Sequence, residues 1–341
     1  MNIVRLMSFF GQRASPLLGV DISASAIRII ELARSSDGWR VAHFAAHELP
    51  RNTVREGAIV QADLVTEGLR DALQKSGTKL RDAAMAVPSN LVIRKIISLP
   101  KNLSEDELEL QIEVEAEQSL SFPTHELHLD FGVIGVSTAN PSDVDVMLVA
   151  TKKETIAERQ VIAEAAGIKP VIIDIESQAL ITTLITSDPT NESNVSHTRA
   201  ILQIGRDSSY FFIANHQTLI FEHELDINFQ RLNKELERNP EQSLAITETF
   251  CTAVCQEFKR ALQLYSTNSR YFPLDKFFLS GPEKTLFRLP SMMKEQLSIS
   301  AEFANPFAAM KFSSGMDKSI PQKEASAWLV ACGLAMRDRV L

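Results

Sequence analysis

Residues 17–32 read LLGVDISASAIRIIEL, and this stretch gives the strongest indication of the fold. An apolar run ends at Val20, residues 21–25 read Asp-Ile-Ser-Ala-Ser and are mostly small or polar, and apolar residues resume at Ile27. The pattern predicts two strands joined by a tight turn. Successive backbone N–H groups in such a turn can bind an anion such as phosphate, although an ordinary Asx turn explains Asp-x-Ser-x-Ser equally well.

A second stretch repeats this organisation in the other half of the chain. Residues 200–204 are mainly apolar, residues 205–208 read Gly-Arg-Asp-Ser, and residues 210–214 are apolar again. A unit that recurs in this way predicts a duplicated architecture. Between the two hairpins, residues 188–199 are rich in turn formers and are expected to be a linker.

Residues 88–167 differ in character from the segments on either side. Their pattern predicts strand, helix, strand, strand and helix, which is enough for a small α+β unit of its own. Ser104 and Glu107 form a capping box that predicts the start of the first helix in this unit. Outside the unit, helices are expected at residues 63–76, 242–266 and 324–336.

The composition narrows the class of protein. A length of 341 residues suggests about two domains, and the net charge of −8 comes without a basic stripe, so we expect no nucleic-acid partner. No segment is long and apolar enough to predict a transmembrane helix. Residues 1–16 are expected to form a leader. Arg5 interrupts their apolar run, which argues against a signal peptide and leaves open a short membrane-surface or partner-docking segment.

The cysteine pattern predicts a reducing compartment. Cys251, Cys255 and Cys332 are odd in number and lack the spacing of a disulfide framework. Cys251 and Cys255 lie four residues apart on one face of a predicted helix. They could form a metal or redox pair, but buried thiols packed as small hydrophobic groups are the simpler expectation.

Five segments, taken in order, resemble the actin, Hsp70 and sugar-kinase superfamily. They are residues 19–25, 174–180, 202–208, 278–282 and 330–335. The resemblance implies an α/β fold of the actin-like, ribonuclease H-like type, in which two lobes enclose a nucleotide cleft. The small α+β unit would then be a subdomain inserted in lobe one.

The same resemblance sets the expected domain boundaries. The expected segments, in order along the chain, are a leader at 1–16, lobe one at 17–87, the inserted subdomain at 88–167, the return of lobe one at 168–187, a linker at 188–199, lobe two at 200–316, and a C-terminal helix that returns to lobe one at 317–341.

Within that superfamily, the chain resembles the PilM family of type IV pilus assembly. The segments that carry the likeness are LLGVDISASAIRIIEL (17–32), VPSNLVIRKIISLP (87–100), VDVMLVATKKE (144–154), AGIKPVIIDIESQAL (166–180) and ACGLAMR (331–337). The resemblance implies a cytoplasmic scaffold, peripheral at the inner membrane, that serves the pilus assembly complex and its motor. It would capture the cytoplasmic N-terminal segment of PilN in a groove near the inserted subdomain. A small-molecule kinase and an FtsA-like polymer-forming protein are the alternatives.

The resemblance also implies an ATP site between the lobes. The residues implied to face the phosphates are Gly19, Asp21, Ser23, Ala24 and Ser25 in lobe one and Gly205, Arg206, Asp207 and Ser208 in lobe two. The residues implied to border the adenosine are Lys259, Arg260, Ser280, Gly281 and Pro282. Asp21 could also hold Mg²⁺ through water. For Lys259 and Arg260, a solvated helix face is the alternative.

Three departures from the superfamily pattern bear on activity. Gln203 stands where the second phosphate turn usually opens with Asp, Arg206 and Asp207 replace small residues, and Ser280-Gly281 replaces Gly-Gly. Because Gln203 cannot act as a general base, we expect a slow ATPase at most and not a metabolic enzyme. Arg206 could neutralise phosphate charge without a metal, or could instead form a surface salt bridge with Asp207 or another neighbour.

Overall fold

The computed structural model describes residues 15–36, 38–137, 139–187, 198–267, 272–317 and 323–337. The expected leader and linker therefore lie almost entirely outside the described residues, as does part of the expected C-terminal segment. Within the described ranges, strands are built from the alternating or continuous apolar runs and helices from segments with one buried face.

The first half of the described chain alternates strands and helices. Its elements, in order, are β1 (Leu18–Ile22), β2 (Ala26–Ser35), β3 (Gly38–Glu48), β4 (Val54–Arg55), β5 (Ala58–Ile59), α1 (Ala62–Ser76), β6 (Asp82–Val87), β7 (Ile93–Pro100), α2 (Glu105–Ser119), β8 (Leu127–Val136), β9 (Asp143–Lys152), α3 (Lys153–Ala165), β10 (Lys169–Ile175) and α4 (Glu176–Thr186).

The second half begins with a three-stranded meander. Its elements, in order, are β11 (Thr198–Ile204), β12 (Ser209–Asn215), β13 (Thr218–Leu225), α5 (Phe229–Arg238), α6 (Ser243–Ser266), β14 (Lys276–Ser280), α7 (Leu289–Leu297), β15 (Ala301–Phe303), β16 (Lys311–Phe312), a 3₁₀ turn (Ala325–Trp328) and α8 (Leu329–Ala335).

Two mixed sheets share one topology, which confirms the predicted duplication and the actin-like α/β fold. The first is six-stranded in the order β10-β6-β1-β2-β3-β16, and the second is five-stranded in the order β13-β12-β11-β14-β15. In each, an antiparallel meander begins with a strand that also pairs in parallel with a later strand. We call the body around the six-stranded sheet lobe one and the body around the five-stranded sheet lobe two.

A three-stranded sheet in the order β7-β9-β8 forms a separate unit within residues 88–167. Helix α2 packs on it through Ile112 and Ala116, which belong to a cluster with Ile97, Val146 and Leu148. The predicted capping box is present, because Ser104 and Glu107 bond reciprocally at the start of α2. This unit therefore has a small core of its own.

The predicted helix at 324–336 is shorter than expected. Residues Ala325–Trp328 form a 3₁₀ turn, and α8 occupies only Leu329–Ala335. The reason lies in lobe two, since the Ser326 N–H donates to a Glu283 carboxylate oxygen at 3.0 Å and the Ser326 hydroxyl contacts Gly281. These bonds hold the first turn in a tighter conformation than an α-helix.

Helix α8 lies in lobe one, against both β1 and α4. Gly19 of β1 faces it so closely that an added Cβ would lie 2.0 Å from the Ala331 carbonyl oxygen. The lack of a side chain at Gly19 therefore permits β1 and α8 to pack closely.

The cysteines are free and buried. Burial raises the pKa of the Cys251 and Cys255 thiols to about 11, so both are neutral at physiological pH. No cluster of three metal-ligating side chains occurs in the described ranges. The expectation of buried thiols that pack as small hydrophobic groups fits these observations. No helix in the same ranges combines the length and hydropathy that a bilayer crossing needs.

Candidate functional site

A cavity of about 400 Å³ lies where the turns of the two lobes face each other. Its walls are the β1–β2 turn, the β11–β12 turn, the end of β14, and the 3₁₀ turn with the start of α8. Small-molecule sites in proteins typically have volumes of roughly 300–1,000 Å³. The cavity therefore has the size and the placement, between two lobes, of a ligand site.

The β1–β2 turn is rigid and leaves backbone donors free. The Ser23 N–H and hydroxyl both donate to the Ala26 carbonyl, at 3.0 and 2.8 Å, so this side chain serves the turn itself. In the described part of the chain, the amides of Ala24 and Ser25 donate no hydrogen bond. Adjacent amides of this kind form an anion-binding concavity.

The β11–β12 turn is held from behind by α5. The Gly205 N–H donates to the Ser208 carbonyl at 3.1 Å, and the first amides of α5, from Phe229 and Gln230, donate to the carbonyls of Gly205 and Arg206 at 2.9 Å. Glycine is required at 205, because an added Cβ would lie 2.4 Å from the Ser208 carbonyl oxygen. This turn is therefore also fixed in position.

Side chains of lobe two cross the cavity to the backbone of lobe one. Arg206 Nη1 donates to the Ala24 carbonyl at 2.7 Å, and an Asp207 carboxylate oxygen accepts the Glu56 N–H at 3.1 Å. The alternative salt bridge between Arg206 and Asp207 is not formed, since each side chain contacts lobe one instead. The two turns therefore converge on one space, with a guanidinium inside it.

A buried carboxyl group, Asp21, and a half-buried one, Glu176, lie at the base of the cavity. Burial raises the pKa of Asp21 to about 7, the Arg28 guanidinium at 3.9 Å opposes this rise, and Glu176 adds to it. Burial also raises the pKa of Glu176, whose Oε1 accepts a hydrogen bond from the Gln203 amide at 3.1 Å. The base is thus a set of acids that are costly to ionise.

Glu176 also lines the cavity, although the sequence motifs gave it no individual role. It is the first residue of α4 and follows the buried strand β10 directly. A carboxyl group at that junction is a signal that could have been used, because side chains at strand ends often face a ligand cleft.

The turn at Ser280–Pro282, which the resemblance implied for adenosine, is connected to the 3₁₀ turn. Ser280 donates through its hydroxyl to the Ser326 carbonyl at 3.2 Å, and the Gly281 N–H donates to the Ser326 hydroxyl at 3.3 Å. Gly281 has φ +153°, and an added Cβ would lie 3.0 Å from the Ile204 carbonyl oxygen. Ser280, Gly281 and Pro282 all line the cavity.

Three residues that the resemblance implied for the site do not line the cavity. Gly19 is covered by α8, as described above, so its lack of a side chain serves packing in lobe one. Lys259 and Arg260 lie on the exposed face of α6, where Arg260 pairs with Glu257. That placement corresponds to the solvated helix face.

The cavity suits a polyphosphate better than it suits a metal ion held by protein ligands alone. The free amides and the Arg206 guanidinium are donors for phosphate oxygens. Asp21 and Glu176 are the carboxylates at its base, and each already faces a donor. Mg²⁺ usually takes one or two carboxylates and completes its shell with water and substrate phosphates. Asp21 could therefore hold Mg²⁺ only together with a bound phosphate and water.

Comparison with known proteins identifies the family. A family model described as "Type IV pilus assembly protein PilM" matches residues 19–244 and 228–339. The chain belongs to the PilM family. The match spans both lobes and the three-stranded unit, so the PilM relationship concerns the whole described fold.

Solved structures support the PilM fold. The structure titled "PilM-PilN type IV pilus biogenesis complex" superposes with a TM-score of 0.79 at 21% identity and covers 95% of this chain and 99% of that chain. The ethanolamine utilization protein EutJ from Carboxydothermus hydrogenoformans gives a TM-score of 0.50 at 11% identity, with 95% and 92% covered. At these identities, the likeness concerns the fold.

The Asp21 carboxyl leads to a pH-dependent prediction. The Asp21 carboxyl has a pKa of about 7 in the folded protein and about 3.9 in the unfolded chain. Between these pH values the folded protein binds more protons than the unfolded chain. The free energy of unfolding therefore falls as pH rises towards 7. We expect Asp21→Asn to raise the melting temperature at pH 8, by the equivalent of roughly 1–2 kcal/mol, and to change it little at pH 4.

Thermal unfolding at the two pH values measures this effect. Glu113→Gln, which removes an exposed carboxyl from α2, is the matched control and should change stability little at either pH. An Asp21→Asn variant that is less stable than the wild type at pH 8 would show that the carboxylate form is favourable.

Proposed function

We propose that this chain is a nucleotide-binding scaffold of type IV pilus assembly. It holds ATP in the cavity between the lobes, with little or no turnover, and docks the cytoplasmic N-terminal segment of PilN. The observation that carries the nucleotide proposal is the convergence of the two turns, with their free amides and Arg206, on one cavity of about 400 Å³. Membership of the PilM family supports the pilus role, and the solved PilM–PilN complex supports the partner.

In this proposal, each part of the ligand is assigned to one wall of the cavity. The phosphates lie between the turn at Asp21–Ser25 and the turn at Gly205–Ser208, and the adenosine lies against Ser280–Pro282. Asp21 takes part in Mg²⁺ binding through water when the metal accompanies the nucleotide. The site belongs to a scaffold that works at the cytoplasmic side of the inner membrane and reaches the membrane through its partners.

Slow turnover follows from the chemistry at the base of the cavity. Gln203 has no basic group, and Glu176 is the carboxyl closest to it. Glu176 Oε1 already accepts a hydrogen bond from the Gln203 amide, so this oxygen is engaged by the chain itself and not by an attacking water. We expect hydrolysis well below the roughly 1 s⁻¹ at the low end of typical enzymes.

Arg94 connects the three-stranded unit to the cavity. It lies on β7, forms an ion pair with Glu222 of β13 in lobe two, and donates to the Ser177 hydroxyl at 2.7 Å. Ser177 directly follows Glu176 at the start of α4. A ligand that changes the arrangement of the lobes would therefore also move the three-stranded unit. In this proposal, the PilN segment docks near that unit.

A titration of the PilN segment with and without ATP tests the proposed function. We expect the peptide to bind, and ATP to change its affinity by a factor within the roughly 5- to 150-fold range of allosteric coupling. Arg94→Ala should reduce the effect of ATP on peptide affinity, because it removes the contacts that join the three-stranded unit to Glu222 and Ser177. Lys95→Ala, one residue along the same strand, is the matched control and should preserve the factor.

Two outcomes would count against the proposal. Absence of peptide binding in both conditions would remove the partner role, and steady-state hydrolysis faster than about 1 s⁻¹ would indicate a working enzyme.

A further inference from the structure

The two carboxyl groups at the base of the cavity, Asp21 and Glu176, already face donor groups from the chain itself. Asp21 lies 3.9 Å from the Arg28 guanidinium, and both side chains are nearly buried. Glu176 accepts the amide N–H of Gln203, at the position where the superfamily usually has an acid. Arg28 therefore opposes the charge of Asp21, and the Gln203 amide occupies one oxygen of Glu176, so groups of the chain itself already contact both carboxyl groups.

Two arginines line the cavity, and they have different partners. Arg28 faces the Asp21 carboxyl group, whereas Arg206 faces a neutral backbone carbonyl. Its guanidinium donates to the Ala24 carbonyl, and among the described residues it forms no ion pair with a carboxylate. It is half-buried, and its backbone is fixed by the first amides of α5. A partly desolvated guanidinium with no anionic partner is a site at which an anion binds favourably.

The position of Arg206 coincides with the space between the two turns. Because Nη1 lies 2.7 Å from the Ala24 carbonyl, the guanidinium reaches the β1–β2 turn beside the free amides of Ala24 and Ser25. The remaining N–H groups of its planar fork match the oxygen spacing of a phosphate. Amides and guanidinium together form a donor set of the kind that a di- or triphosphate requires.

We propose that Arg206 supplies the counter-charge for the nucleotide phosphates, so that the cleft binds ATP or ADP without a divalent metal ion. This inference rests on the proposed nucleotide site and adds a specific ligand form to it. The Arg206 guanidinium is charged at all physiological pH values. It can therefore offset the phosphate charge when no metal ion is present. Mg²⁺ can accompany the nucleotide, but affinity does not require it.

The test is an ATP titration of the full chain by calorimetry, in Mg²⁺ and again in excess EDTA. We expect the wild-type Kd to differ by less than about threefold between the two buffers. Arg206→Gln should weaken binding in EDTA by about 10- to 100-fold, the range for loss of one charge-assisted contact. Arg206→Lys, which keeps the charge without the planar fork, should lie in between.

Arg231→Gln is the matched control for charge. Arg231 lies on α5, is exposed, and interacts with Glu235 at 3.8 Å, so its loss changes the net charge equally outside the cavity. We expect its ATP affinity to equal that of the wild type. Circular dichroism of each variant establishes that the comparison is made between folded proteins.

The outcomes separate this inference from the function on which it rests. If the wild type binds ATP in Mg²⁺ but loses more than tenfold in EDTA, or if Arg206→Gln behaves like Arg231→Gln, the metal-independent role of Arg206 is wrong while the nucleotide site stands. If the wild type binds no ATP in either buffer, both the nucleotide site and the role of Arg206 are overturned.

Discussion

Gly333→Ala is expected to destabilise the protein by about 3 kcal/mol, although alanine is the better helix former. Gly333 lies in α8, where an added Cβ would be 1.8 Å from the Ala179 carbonyl oxygen and 2.8 Å from the Thr183 hydroxyl oxygen. Contacts this short to backbone cannot be relieved by rotating a side chain. Helix α8 would have to move away from α4.

The opposite face of α8 gives it no room to move. A Cβ added at Gly19 of β1 would lie 2.0 Å from the Ala331 carbonyl oxygen, so β1 packs as closely on this face as α4 does on the other. Helix α8 therefore lies between two backbone surfaces. Thr183 also donates to the Leu329 carbonyl at 2.6 Å, and a displaced helix would lose this buried bond. The clash therefore outweighs the gain in helix propensity of at most about 1 kcal/mol.

Urea unfolding measures the effect, with Gly77→Ala as the matched control. Gly77 ends α1 at φ +68° with no backbone nearby, so its replacement involves local strain alone and should cost about 1 kcal/mol. Equal losses in the two variants would mean that the α8 packing adapts and that the predicted clash is not the limiting contact.

Arg337→Ala is expected to cost about 3–5 kcal/mol at pH 7.5, because it leaves a buried carboxylate without its partner. The Arg337 Nε and Nη2 atoms lie 2.6 and 2.5 Å from Asp174 Oδ2, and the Asp174 side chain is 1% exposed. The other carboxylate oxygen accepts the Ile175 N–H at 2.7 Å. The pair joins the segment that follows α8 to β10 of lobe one.

The cost should depend on pH in a specific direction. Burial raises the folded-state pKa of Asp174 while Arg337 opposes the rise, so removing Arg337 raises that pKa further. A carboxyl with a raised folded pKa gains protons in the fold, and its destabilisation is relieved as pH falls through that pKa. The deficit of Arg337→Ala relative to the wild type should therefore be smaller at pH 5 than at pH 7.5.

The double variant Asp174→Asn/Arg337→Ala is the control. It carries no buried charge, so it should be more stable than Arg337→Ala at pH 7.5, and its deficit should not change with pH. A single-variant deficit of the same size at both pH values would show that Arg337 contributes through packing and not through the charge of Asp174.

Local sequence patterns were enough to predict the two hairpins and the three turns that line the cavity. A strand that ends in small polar residues forms a turn for local reasons, so Ser23–Ser25, Gly205–Ser208 and Ser280–Pro282 could be placed at strand ends without knowledge of the rest of the chain. The capping box of α2 and the buried cysteines likewise follow from patterns a few residues long. Membership of the PilM family agrees with the motifs that span residues 17–337.

Tertiary structure alone decided which groups meet. The side chain of Arg206 reaches the carbonyl of a residue 182 positions away, and Gln203 bonds to Glu176 across 27 positions. Gly19 serves α8 and not the cavity, while Lys259 and Arg260 face solvent, because helix packing sets those positions. Short-range periodicity fixes the conformation of each segment, but contacts between distant segments depend on how whole layers pack, and no local pattern records that.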